Sequence, residues 1–348
     1  MSLQLAEELK TGAEEQVNWT EVEKVIFKRR SVRLYKKQQV PEELVKRILE
    51  AGRFAPSAGN AQDWKFVVIR DQDIINDITR DVVKKCKFFR ALLEYRGSKI
   101  RFFKKIFSKM VTRFIPNDLH PTPFGAVMLI AQEKLGLYHG APTVILILKD
   151  VRGVSNPVLD AGIAGQNMVL AAHSLGLGTC WVSFSKLALE TRYWRKRLGI
   201  EYPYEFVSSL AVGYPVGDPD GFVKRDMHEV DWFEGGTKKT LYKSNVPKQS
   251  WLEKQRIPSY DVPAETKTGR MKINDNCNGC GLCVKVCPAK TLEVRDGKSR
   301  MADNSECMFC GDCYAACPKG AIEMLEPMRL TGFYKSIGLS DPKPPGIY

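Results

Sequence analysis

Eight of the ten cysteines lie between positions 277 and 317, and they repeat one pattern twice. Cys277-x-x-Cys280-x-x-Cys283-x-x-x-Cys287-Pro288 is followed by Cys307-x-x-Cys310-x-x-Cys313-x-x-x-Cys317-Pro318. Two-residue gaps wrap three thiolates around one side of a cubane and a fourth completes the set, which is the ligand demand of a [4Fe–4S] cluster. A zinc site usually sets one close cysteine pair against a distant second pair, and it has no use for a four-cysteine run made twice. Crowded cysteines can also be a disulfide framework in a secreted domain. The first thirty residues, however, are polar and acidic, with no apolar signal core. Metal ligation in a reducing cytoplasm is therefore the expectation. Gly279, Gly281 and Gly311 let the backbone bend closely around sulfur, and Pro288 and Pro318 turn the chain away after each last ligand.

Over about fifty residues this doubled run resembles the bacterial two-cluster ferredoxins. In that family the fourth cysteine of each run serves the other cluster. The resemblance therefore implies one cluster on Cys277, Cys280, Cys283 and Cys317, and a second on Cys307, Cys310, Cys313 and Cys287. Two adjacent clusters move single electrons and bind no substrate. The rest of the chain must use those electrons or supply them.

A second group of residues could hold an anion. Arg29-Arg30-Ser31-Val32-Arg33 follows a predicted helix, and arginines beside a serine can grip a phosphate through charge-assisted, bidentate bonds. Taken alone, the same residues are also a basic helix end favoured by the helix dipole. No G-x-G-x-x-G follows a strand and no G-x-x-x-x-G-K-[ST] occurs, so neither a Rossmann dinucleotide site nor a P-loop is indicated. Further along stand Ala55-Pro56-Ser57-Ala58-Gly59-Asn60-Ala61-Gln62-Asp63-Trp64, Asp160-Ala161-Gly162 through Gln166-Asn167, Ala171 through Trp181, and Gly213-Tyr214-Pro215.

In this order and at these separations, from about residue 25 to 232, the chain resembles the nitroreductase family of FMN enzymes. The resemblance implies that Arg29, Arg30, Ser31 and Arg33 hold the FMN phosphate and ribityl end, with Lys224 and Arg225 closing on it. It implies that Pro56, Ser57, Asn60 and Gln62 belong to a loop reaching FMN from a partner subunit. Trp181, Val182 and Ser183 would lie against the isoalloxazine, with a backbone N–H near Ser183 meeting flavin N5. A homodimer with two flavins follows from the same resemblance. No side-chain acid–base set stands out, as befits an enzyme whose cofactor carries the chemistry. His173, within an apolar helix, reads as a core histidine, and Cys86 and Cys180 as buried thiols.

These sites need elements to hold them. Thr20 and Glu23 have capping-box spacing, so a helix opens near Thr20. Pro41 begins a second, with Leu44, Ile48 and Leu49 on one face and Gly52 as its stop. Strands are expected over 65–69, 143–148, 178–184 and 206–212, and a helix over 159–174. The uncharged stretch 161–185 is long enough to span a bilayer, but its polar residues and glycines fit a buried helix followed by a strand better. The expected fold class is α+β: a nitroreductase-like FMN-binding domain, with a mixed sheet flanked by helices, over 1–232. A linker rich in Lys, Pro, Ser and Gly covers 233–270. A ferredoxin-like domain with two [4Fe–4S] clusters occupies 271–320, and a tail 321–348.

The net charge of +13 is local. Residues 84–113 hold eleven Lys/Arg and one acid, Glu94, so that segment alone carries +10. Within it Ile100, Phe103, Phe107, Met110 and Phe114 recur at helical spacing between basic residues. Three readings fit: a lid with a buried apolar stripe, a dock for an acidic redox partner such as a ferredoxin or flavodoxin, or contact with a membrane surface. No base-reading motif accompanies the charge, which argues against nucleic acid. The function expected is an FMN-dependent oxidoreductase whose clusters relay electrons to or from FMN for reduction of a small organic acceptor: nitro, quinone, halogenated or activated C=C. The alternative is a non-catalytic electron-transfer module docking a larger partner through the basic helix.

Overall fold

The computed structural model describes residues 19–93, 102–103, 127, 130–133, 135–216, 229–242, 271–287, 291–302, 313 and 317–324. Helix α1, Glu21–Lys28, opens on the anticipated capping box: Thr20 accepts from the Glu23 N–H, and the Glu23 carboxylate accepts from the Thr20 N–H. Helix α2, Glu42–Arg53, begins after Pro41 and buries Val45 and Ile48. Gly52 does not stop it. The helix runs on to Arg53, and Gly52 is buried where a Cβ would come within 2.3 Å of Met168. The glycine is there for close helix packing rather than as a cap.

Four antiparallel strands form the sheet of the first domain: β1 Trp64–Ile69, β2 Thr143–Asp150, β3 Gly178–Val182 and β4 Tyr204–Gly213, in the order β1-β2-β4-β3. A parallel bridge joins Ser31 to Thr179. Strand β2 is buried from Thr143 to Leu148 because the sheet separates two cores. Val144, Leu146 and Leu148 face one core, with α3 (Gln72–Leu93) contributing Ile75, Ile78 and Val82. Ile145 and Ile147 face the other, with α2 and α4 (Pro157–Ser174). Period-two alternation with both faces covered turns the strand into a continuous apolar run. Each such side chain contributes about 1.5–3 kcal/mol on burial.

Residues 161–185 form most of α4, then β3, and no helix among the described residues is long and apolar enough to cross a membrane. Two short helices, α5 Lys186–Leu189 and α6 Arg192–Arg197, lead into β4.

The segment read as linker starts differently. Strands β5 Val230–Glu234 and β6 Thr237–Tyr242 pair as a hairpin, so 233–242 is paired strand and turn rather than linker. Gly235 and Gly236 both take positive φ, 57° and 75°, as a tight hairpin turn requires. A Gly-Gly step between β-forming runs was the available signal. The remainder, 243–270, lies outside the described residues.

In the cysteine-rich region, β7 Met271–Ile273 pairs with β10 Ile322–Met324 and so ties its two ends together. Between them come α7 Leu282–Val286 and a hairpin of β8 Leu292–Arg295 with β9 Lys298–Met301. Met271, Val286, Leu292 and Ile322 gather around Cys283 and Cys313 as a small core.

Gly165 sits mid-α4, where a Cβ would lie 2.2 Å from the Trp181 ring and 2.7 Å from Ile147. Gly165→Ala is therefore expected to destabilise the protein by about 1–3 kcal/mol through overpacking. Thermal unfolding checks this; an unchanged midpoint would mean the helix–sheet spacing is not fixed by this glycine.

Candidate functional site

Cys277, Cys280, Cys283 and Cys317 line one cavity together with Gly281, Ser299, Pro318 and Ala321. Three thiols from the first run and one from the end of the second are thus brought together. Among the described residues no three His, Cys, Asp or Glu side chains gather as ligands of a single ion. The surroundings fit thiolates, since backbone N–H groups point at sulfur. Ser299 donates to Cys277 Sγ at 3.3 Å, Ala321 to Cys317 Sγ at 3.2 Å, and Thr291 to Cys287 Sγ at 3.3 Å. Gly279 has φ +68°, and a Cβ there would sit 2.3 Å from the Gly297 carbonyl oxygen. No other residue permits that approach. Cys313 is buried beside Met271; Cys307 and Cys310 lie outside the described residues.

The candidate phosphate loop leaves α1 at Arg29, whose backbone N–H caps the helix by donating to the Val25 carbonyl. Its path is fixed by hydrogen bonds. Val32 N–H donates to the Thr179 carbonyl at 2.8 Å, Lys36 N–H to Tyr214 at 2.8 Å, and Val216 N–H to Leu34 at 3.1 Å. The Tyr35 hydroxyl donates to the Val32 carbonyl at 2.7 Å. Gly178 allows the loop to close on β3, because a Cβ there would meet Val32 at 2.6 Å. Arg30 is only 5% exposed, and a guanidinium so placed needs hydrogen-bonding company. His139, in the left-handed region at φ +56°, is near enough to Arg33 to feel its charge. Burial first, and Arg33 second, push its pKa down to about 3, so the imidazole is neutral beside the loop. Sequence reasoning overlooked it. Lys224 and Arg225 lie outside the described residues.

Pro56, Ser57, Asn60 and Gln62 form a compact loop on the surface. Gly59, Asn60 and Gln62 all take positive φ, from 54° to 58°, and non-glycine residues accept that only where neighbours over-determine it. Those neighbours are present. Ser57 Oγ accepts from the Gln62 N–H at 2.9 Å, and the buried Asp160 carboxylate accepts from the Ala58 N–H at 3.1 Å. Asp63 accepts from the Val154 N–H at 2.9 Å. The loop is held as a shape, with Asn60 and Gln62 exposed. Asp160 stood among the residues of the family resemblance, but its hold on this loop was not read from the sequence.

At the end of β3, Trp181 packs against Gly165 and Val182 is buried, whereas Ser183 is exposed. The Val182 carbonyl accepts two buried hydroxyls, Ser209 at 2.6 Å and Ser185 at 3.2 Å, and Ser183 Oγ pairs with Ser208 Oγ at 2.8 Å. In a trans peptide the carbonyl and the following N–H point opposite ways. Locking the Val182 oxygen inward therefore turns the Ser183 N–H outward, a fixed donor at the surface. Ser208-Ser209, a polar pair inside an apolar strand, was the legible but unread signal.

The basic segment is only partly described. Lys84, Lys85, Lys87 and Arg90 belong to α3. Lys84 pairs with Asp81, Lys85 Nζ donates to the Leu187 carbonyl, and Lys87 pairs with Glu133. Phe103, which the lid reading alone would bury, is 71% exposed. Cys86 is buried, which pushes its pKa up to about 11 and leaves it an inert thiol.

Comparison with known proteins settles the family. The profile of the Nitroreductase family matches residues 26–214, more than half the chain. The chain belongs to the nitroreductase family. Residues 276–322 match the 4Fe-4S dicluster domain, so this nitroreductase-family oxidoreductase carries two [4Fe–4S] clusters on a second domain. A relative from Archaeoglobus fulgidus, provisionally named NADH dehydrogenase/NAD(P)H nitroreductase, is 26% identical over 208 residues, covering 60% of this chain and 93% of its own. Human iodotyrosine deiodinase 1 is 28% identical over 200 residues, covering 55% of this chain and 60% of its own. Among solved structures, an FMN-bound nitroreductase from Desulfitobacterium hafniense aligns with a TM-score of 0.44 at 24% identity, over 60% of this chain and 95% of its own.

Two expectations follow for this nitroreductase-family protein. With the FMN phosphate on Arg29 and Arg33, replacing both by Ala would remove two charge-assisted contacts worth about 1.5–3 kcal/mol each. Flavin should then leave on gel filtration while the iron stays; retention at unchanged affinity would place the phosphate elsewhere. Ser209→Ala leaves the Val182 carbonyl with Ser185 as its remaining hydroxyl donor and should cost about 0.5–1.5 kcal/mol of stability, read as a lower denaturation midpoint.

Proposed function

We infer that the protein is an FMN-dependent oxidoreductase in which two [4Fe–4S] clusters pass single electrons to or from FMN for two-electron reduction of an organic acceptor. Bound FMN exchanges electrons singly or in pairs, which suits it to the junction between one-electron clusters and a two-electron substrate. Arg29, Arg30, Ser31 and Arg33, with Lys224 and Arg225, bind its phosphate and ribityl end. Trp181, Val182 and Ser183 lie along its ring, with the Ser183 N–H held outward toward N5 by Ser185 and Ser209. Pro56, Ser57, Asn60 and Gln62 reach the flavin of a partner subunit.

The observation that carries the relay is Leu34. It lies between Arg33 and Tyr35 in the phosphate loop, and it packs against the small core of the cluster domain. That contact supports a route in which the clusters dock beside the flavin's anchoring loop. Tethering gives the two redox centres a high effective concentration for one another. A homodimer is supported by α1, which buries none of its eight residues and leaves Val22 66% and Ile26 47% exposed. Nitro, quinone, halogenated and activated C=C compounds all match the two-electron chemistry. The relationship to iodotyrosine deiodinase supports keeping halogenated acceptors in the set.

Leu34→Glu tests the relay in the full chain. With iron and flavin contents unchanged, turnover driven by a reduced ferredoxin-like donor should fall at least severalfold, while a small chemical reductant still bleaches the flavin. Unchanged donor-driven turnover would remove the relay from the proposal and favour direct delivery from NAD(P)H.

A further inference from the structure

Two buried hydroxyl groups reach cysteine sulfur in the first half of the cluster domain. Ser299 and Thr291 are 5% and 4% exposed. Ser299 Oγ lies 2.7 Å from Cys283 Sγ, in addition to the Ser299 N–H donated to Cys277. Thr291 Oγ1 lies 3.2 Å from Cys287 Sγ, in addition to its own N–H on the same sulfur. A thiolate bound to iron carries no proton, so in the loaded protein each hydroxyl is the donor.

The internal repeat isolates what these hydroxyls add. Thr291 stands four residues after Cys287, and Ala321 stands four residues after Cys317. Both donate a backbone N–H to the preceding cysteine, at 3.3 Å and 3.2 Å. The backbone bond is common to the two repeats and suffices to hold the ligand. The hydroxyl is an addition at Thr291 with no counterpart at Ala321.

We propose that the Ser299 and Thr291 hydroxyls set the reduction potentials of two different clusters. Ser299 acts on the cluster held by Cys277, Cys280, Cys283 and Cys317; Thr291 acts on the one that takes Cys287. The proposal rests on the ligand sets given above. A reduced cluster carries one more negative charge than an oxidised one, so a donor to its sulfur stabilises the reduced form more and raises the potential. These donors then decide where an arriving electron rests. Ser299 and Thr291 are tuning residues: they touch ligand sulfur and take no part in substrate chemistry.

The test is an EPR-monitored redox titration of the full-length protein loaded with iron. Ser299→Ala and Thr291→Val should each lower the midpoint of one cluster, and not the same one. A tenfold change in the reduction equilibrium is the expected size, about 59 mV for one electron. Thr291→Ser should restore the original value. Ala321→Ser places a hydroxyl at the repeat-equivalent position and should raise the midpoint of the first cluster. That variant decides the matter if Thr291→Val fails to hold iron. Midpoints unchanged at full iron content, or both substitutions moving one and the same signal, would overturn the proposal. Fewer than about eight irons in the unsubstituted protein would instead count against the two-cluster reading beneath it.

Discussion

The backbone of residues 31–36 is the constraint on which the first domain's site depends. The loop is tied at one end to Thr179, where β3 starts, and at the other to Tyr214 and Val216, just past the end of β4. Strands β3 and β4 are paired in register, Gly178 opposite Gly213 and Val182 opposite Ser209. One hydrogen-bonded frame therefore fixes three things together: the arginines, the Trp181–Ser183 segment, and Leu34 with its contact to the cluster domain. Small residues make the frame possible. Gly178 admits Val32, and Gly213 admits Tyr35 and Pro142, where any Cβ would collide.

The second domain is built by a different device. Among its described residues the apolar core is small and gathers on cysteine. Small domains of this kind need a staple to offset chain entropy, and metal binding can supply folding energy where a core cannot. The glycines around the ligands bring backbone donors to sulfur. The polar residues Ser299 and Thr291 are buried there because sulfur is an available acceptor.

Much of this was legible in the residues. The doubled cysteine run pointed to iron–sulfur clusters, in agreement with the dicluster match of the second domain. The capping box at Thr20 and the apolar run of β2 located their elements to within a residue or two. What escaped were interactions distant in sequence or hidden by ambiguous residue types. Gly52 has the type of a helix stop and the role of a packing contact with Met168, which lies on another helix. Gly235-Gly236 could mean a flexible linker or a hairpin turn, and only strand pairing decides. Ser185 and Ser209 meet at the Val182 carbonyl from different elements. His139 comes near Arg33 only after the chain has folded. No periodicity reports such encounters.

The central claim is that electrons cross between the clusters and the flavin within one chain. Its most direct test is a rapid-mixing experiment on the intact, anaerobic protein, following cluster EPR and flavin absorbance together after a single-electron donor is added. The account predicts that the clusters reduce first and that the flavin bleaches at the rate at which the cluster signal decays. Flavin that bleaches without any change in the clusters, or clusters that stay reduced while the flavin remains oxidised, would contradict it.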